Sequence, residues 1–230
     1  CASSMAFTLV GSPNNKGYAN PEMSIDINQS SCPASVDLEG IVKDSIEIWN
    51  RVHSSSLKLS IGNPSTATTA SFPPVAYCDP TMTGSTLGQG GSSMDMSSFV
   101  LSGGLLKINT NPATAGYVLS QSHERILIVS AHEIGHVLGL GHSPDSYALM
   151  HYAIGAKDTL NLSQDDIDGI TYLYPRNEMK SDKLLGGCGL VGPGNSNGNS
   201  SGGFAILFLL LPLAFLSTKT AFLFRNLNIK

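Results

Sequence analysis

The sequence predicts one α/β domain over residues 23–176, in which strand-like and helix-like segments alternate along the chain. Three observations predict it. Apolar residues alternate at Met23, Ile25 and Ile27 and again at Leu57, Leu59 and Ile61, the two-residue period of a half-buried strand. Between them Val36, Ile41, Val42, Ile46, Trp49 and Val52 keep helical spacing. From Gln121 to about Leu140 the chain is apolar on most helical faces, as befits a helix running through a core.

The elements follow in order. Residues 1–22 are polar and carry turn signals at Gly11-Ser12-Pro13 and Asn20-Pro21, so they read as an irregular lead-in. The first strand spans Met23–Asn28. The next helix is expected to start at Ser35 as its cap, with Glu39 a turn later, and to run to about His53. A second strand holds Leu57–Ile61, a Ser/Thr/Ala/Pro loop covers Asn63–Pro74, and a short strand follows at Val75–Cys78. Thr83–Gly88 is a turn-rich stretch, chosen here as the edge beside which an extended ligand would lie. Phe99–Asn109 reads as one or two strands. Ser163 begins the last helix, Gln164–Leu173, with Asp166 completing a capping box and Pro175 stopping it.

Past Lys183 the composition changes. Residues 177–203 form a Gly/Asn/Ser linker containing Cys188, and residues 204–230 hold an apolar run long enough to span a bilayer over 204–224. Charge excludes other classes. The net charge is −4 overall and −7 over residues 1–183, with no Lys/Arg cluster, which argues against nucleic acid as a partner. Charged residues make up 13% of the chain, too few for a charge-rich disordered protein. The opening Cys1 is read as the product of export and cleavage, with lipidation as one outcome and a plain cut as the other.

The informative stretch is His132-Glu133-Ile134-Gly135-His136-Val137-Leu138-Gly139-Leu140-Gly141-His142. Positions i and i+4 of a helix project side by side, so His132 and His136 can share one Zn²⁺ at about 2.0–2.1 Å. Gly139 permits a positive φ, so the helix can end there and return His142 as third ligand. Three protein ligands leave a position for water, the arrangement of a catalytic ion. Glu133 is rotated off the ligand pair. It is expected to take the proton of a zinc-bound water that attacks a peptide carbonyl, then pass it to the leaving amine. This spacing arises by chance in about one in a hundred thousand chains of such composition.

HExxHxxGxxH followed by a methionine resembles the pattern of the metzincin metalloproteases. Met150, eight residues past His142, looks like the Met of their Met-turn, a packing floor beneath the imidazoles with no bond to zinc. Ser143, the short gap to Met150 and Leu162–Pro175 resemble the matrixin branch (peptidase family M10). The resemblance implies a zincin-like fold: a twisted, mostly parallel sheet backed by two helices. The active-site helix then leads into a small C-terminal subdomain with the Met-turn and a final helix. It implies a monomeric zinc metalloendopeptidase of protein or peptide substrates with one catalytic Zn²⁺, while structural Ca²⁺ has no motif to support it.

Several features depart from the family. Met150-His151-Tyr152 is closer to the Met-turn of astacins and serralysins, where the Tyr contacts zinc or the oxyanion; here Tyr152 takes that role or simply walls the pocket. Ala153-Ile154-Gly155 is expected to wall the pocket for the residue after the scissile bond. The HxD of a structural zinc site is not found, so His53, His123 and His151 receive no ligand role; with no cysteine-switch propeptide or haemopexin repeat in these residues, latency is unaccounted for and any exosite specificity is expected to differ. The tail resembles bacterial C-terminal sorting tails of the myxobacterial type, which makes Cys188 an anchor or processing point; a plain membrane anchor is the alternative. With Cys188 so used and Cys1 lipidated, Cys32–Cys78 is the favoured disulfide, although four cysteines allow three pairings. The expected location is exported: cell surface, outer membrane or extracellular, membrane-anchored before any release. The competing function is an extracytoplasmic binding or adhesion module with an inert zinc site. Glu133 argues against it, because an inert site has no use for a general base.

Overall fold

The structure is a computed structural model and describes residues 7–176; Cys1, Cys188, the linker beyond 176 and the 204–230 segment lie outside the described residues. Five strands form one sheet: β1 (Glu22–Asn28), β2 (Lys58–Pro64), β3 (Val75–Asp79), β4 (Gly88–Asp95) and β5 (Val100–Asn109). Their order is β2-β1-β3-β5-β4. β1 runs parallel to β2 and β3, β3 runs parallel to β5, and only β4 is antiparallel. The mostly parallel sheet expected from the resemblance is therefore present, and β4 is one of its edges.

Two helices back it. α1 (Leu38–Asn50) packs against β2 and β3, and α2 (His123–Val137) against β4 and β5. The buried face of α1 (Leu38, Ile41, Val42, Ile46, Trp49) repeats the spacing read from the sequence. Trp49 is fully buried, and its Nε1–H donates to the Ala131 carbonyl at 3.0 Å, which fixes α1 against α2. The cap of α1 is corrected. Ser35 sits in the turn that precedes the helix, and Asp37 is the residue whose carboxylate accepts the Gly40 N–H at 2.9 Å. A carboxylate there also meets the positive end of the helix dipole. α3 (Gln164–Leu173) begins with the expected capping box: Ser163 accepts the Asp166 N–H and Asp166 accepts the Ser163 N–H.

The second correction concerns the sheet edge. Residues 83–87 are loop, and of the expected edge Thr83–Gly88 only Gly88 belongs to the edge strand β4. Gly88-Gln89-Gly90-Gly91-Ser92-Ser93 has little strand propensity of its own. It is extended because it pairs with β5 from Gly88↔Ile108 to Asp95↔Val100. Gly90 also passes so close to α2 that a Cβ would overlap the Glu133 carbonyl.

The lead-in is irregular but tied down. Leu9 bridges Leu140, the Val10 N–H donates to the Gly139 carbonyl at 2.9 Å, and the Tyr18 N–H donates to the Tyr174 hydroxyl at 3.2 Å. Of the three possible pairings, the chain forms Cys32–Cys78, with Cα atoms 5.0 Å apart, joining the turn after β1 to β3. No helix among the described residues is long and apolar enough to cross a membrane.

Candidate metal centre

α2 is set by its two ends. Ser122 accepts the Arg125 N–H at 3.2 Å as N-cap. At the other end Gly139 has φ +103°, the Leu140 N–H reaches back to the Gly135 carbonyl and the Gly139 N–H to the His136 carbonyl. This is a Schellman ending, and it turns the chain sharply off the helix axis. His142 then lies beside the two helical histidines, with ring centroids 5.4 Å from His132 and 4.8 Å from His136. One candidate ligand atom from each of the three lies within 4.8 Å of the others.

Second partners decide how the rings point. His132 Nδ1 lies 2.7 Å from the Leu149 carbonyl and His136 Nδ1 lies 2.8 Å from the Leu140 carbonyl. A carbonyl only accepts, so both Nδ1 atoms carry the proton and both Nε2 atoms are bare lone pairs. Those lone pairs face each other at 3.1 Å. Two acceptors at that distance repel unless a cation lies between them. Burial strengthens the point, since it pushes the His132 pKa down to about 4 and lowers that of His136, keeping both rings neutral. Neutral, Nδ1-protonated imidazoles whose Nε2 atoms converge, joined by a third histidine, are a donor set that suits zinc.

The third ligand candidate is held by residues that sequence reasoning did not single out. The Thr8 hydroxyl donates to the His142 carbonyl at 2.7 Å, and the Gly141 N–H donates to the Thr8 carbonyl at 2.8 Å. Nothing in the polar lead-in signals this, because the contact spans 134 residues.

Glu133 faces the cleft between α2 and β4. Its Oε2 accepts the Gly90 N–H at 2.6 Å. Burial raises its pKa to about 7, against the lowering effect of the Gly90 bond. A carboxylate so balanced can both take and return a proton near neutrality.

Met150 is 2% exposed and packs on α2 where Gly135 leaves room; a Cβ there would overlap its Sδ. Asp166, legible in the sequence only as a capping residue, accepts the Leu149 N–H at 2.7 Å and the Met150 N–H at 2.9 Å. Tyr152 is 72% exposed in the cleft wall, its ring tilted against that of His151 with centroids 4.4 Å apart. His123 sits at the start of α2 near Asp44, away from the cluster. The cleft itself has a volume of about 560 Å³ and is bounded by Leu87–Gly90 on one side and Tyr152–Gly155 on the other.

A family model described as matrixin matches residues 35–175. The chain belongs to the matrixin family. This matrixin is similar to metalloendoproteinase 1 of Glycine max, at 44% identity over 68 residues, which is 29% of the chain and 20% of the relative. It is similar to the neutrophil collagenase of Homo sapiens at 46% over 57 residues (24% and 12%) and to the matrilysin of Homo sapiens at 46% over 59 residues (25% and 22%). The chain thus spans about a fifth or less of the length of these curated relatives.

Proposed function

We propose that this matrixin is a zinc-dependent endopeptidase. The carrying observation is the convergence of two bare Nε2 atoms and His142 beside the Glu133 carboxylate, in a cleft open to an edge strand. His132, His136 and His142 hold the ion. Bound there, zinc supplies Lewis-acid polarisation of the scissile carbonyl and of the attacking water. Glu133 accepts the proton from that water and delivers it to the departing amine. Gly90 keeps the carboxylate in place through its N–H. An extended substrate lies along β4, whose outer main-chain donors and acceptors have no neighbouring strand among the described residues. Met150 is the floor under the imidazoles, and Tyr152 walls the cleft mouth.

The family and its named relatives support a protein or peptide substrate. The test is zinc stoichiometry measured alongside cleavage of a random peptide pool. The reading expects about one zinc per chain and cleavage that stops with a chelator and returns with zinc. Zinc-replete protein that cleaves nothing in the pool overturns it and leaves the inert binding module.

We also propose that the segment from Cys188 onward holds the exported, monomeric protein at a membrane, as a bacterial-type sorting tail with Cys188 as its anchor. The support is compositional: a Gly/Asn/Ser-rich linker up to 203 and an apolar run over 204–224. Mass spectrometry of the cell-associated protein is expected to find a chain ending near Cys188. Retention of peptides from 204–230 means a plain transmembrane anchor, and a freely soluble full-length chain rejects both.

A further inference from the structure

Arg125 stands at the cleft with no acidic partner among the described residues. It lies on the same face of α2 as Val129 and His132, one and two turns on, and all three line the cleft. Its Nη1 donates to the Ile154 carbonyl at 2.7 Å, which fixes the guanidinium against the 152–155 wall. That bond uses one of five N–H donors, and no other protein acceptor takes the rest among the described residues. Four ion pairs occur among the described residues, and none includes Arg125. Glu124, Lys157 and Asp158 line a second hollow together with Arg125, but neither acid comes within 4.0 Å of the guanidinium as an ion pair. Glu124 is instead engaged by the Leu160 N–H.

The position is also a poor one for the helix. Arg125 is the third residue of α2, so its charge sits beside the positive end of the helix dipole, where Asp or Glu would stabilise. The bond to the Ile154 carbonyl engages one donor and leaves the positive charge itself without a counter-charge among the described residues, which points to a role at the site.

We propose that Arg125 is a specificity-determining residue: the pocket between α2 and Tyr152–Gly155 takes an acidic side chain from the residue after the scissile bond. Val129 and Ile154 cover the aliphatic stem of a bound glutamate, and the free N–H groups of Arg125 receive its carboxylate as charge-assisted hydrogen bonds. Arg125 is the only Lys or Arg lining the cleft, whose other ionisable lining groups are the three metal-facing histidines, Glu133 and Tyr152. The inference rests on the endopeptidase reading.

The experiment compares full-length protein on peptides identical except for Glu, Leu or Lys after the scissile bond. Wild type is expected to show kcat/KM at least tenfold higher for Glu than for Leu, with Lys poorest. Arg125→Leu is expected to lower the Glu-to-Leu ratio by about a hundredfold. Arg125→Lys retains a preference for Glu, and Arg125→Glu shifts it to Lys. Because the wild-type ratio needs no variant, misfolding of any variant leaves the inference exposed to it. Wild type that prefers Leu, or a ratio within twofold of wild type in folded, zinc-replete Arg125→Leu, overturns the inference while the endopeptidase reading stands. Failure to cleave any peptide overturns both.

Discussion

Asp166 and His132 do not touch, yet a single residue joins them. Leu149 gives its N–H to the Asp166 carboxylate at 2.7 Å and its carbonyl to His132 Nδ1 at 2.7 Å. The cap of the last helix therefore aims the first metal-facing imidazole. The same carboxylate takes the Met150 and Ser163 N–H groups, at 2.9 and 2.8 Å, which ties the methionine turn to the start of α3.

Asp166→Ala is expected to lose about 3 kcal/mol of stability, because buried backbone donors are left without an acceptor. Zinc affinity should fall tenfold to a hundredfold with it, since His132 loses its orientation. Denaturant unfolding and a competitive chelator titration measure the two quantities. Unchanged zinc affinity in the folded variant rules out the relay through Leu149.

Glu133→Ala should keep stoichiometric zinc and lose roughly 10²–10⁴-fold in peptide hydrolysis. The carboxylate bonds to Gly90 and stands outside the histidine cluster, so its removal takes away proton transfer alone. Metal analysis of the purified variant checks this, and loss of zinc would reassign Glu133 to the ligand set.

His142→Ala should lose both zinc and activity, although His142 lies off α2 and is exposed. Two imidazoles cannot retain the ion against a chelator of ordinary strength. A variant that holds zinc as tightly as wild type would require another ligand, and Tyr152 would be the first residue to test.

Gly90→Ala should uncouple β4 from α2. A Cβ at this position overlaps the Glu133 backbone, which cannot yield as a side-chain tip would. The strand must shift outward and release the Gly90 N–H from Glu133. Activity should drop at least tenfold with zinc retained, at a stability cost of about 1–3 kcal/mol. Full activity in the variant would show that Glu133 needs no support from the edge strand.

The sequence by itself determined the parts governed by short-range periodicity. Helical spacing from Val36 to Val52 and strand alternation at Met23–Ile27 gave α1 and β1 within a few residues. The i, i+4 rule alone set His132 beside His136, and Gly139 alone marked where α2 must turn. These depend on backbone geometry within a turn or two, which the residue types state directly. The tertiary structure decided what depends on partners far along the chain. β4 is glycine and serine, extended only because β5 pairs with it and Gly90 can approach Glu133. Asp37 displaced Ser35 as cap once the turn at Pro33–Val36 was fixed. The Cys32–Cys78 bond was selected by bringing β1 and β3 together. Thr8 reached His142 across 134 residues, and Asp166 reached His132 through Leu149. A hydrogen bond between distant segments leaves no periodic trace in either, so it becomes visible only when folding brings both to the same place.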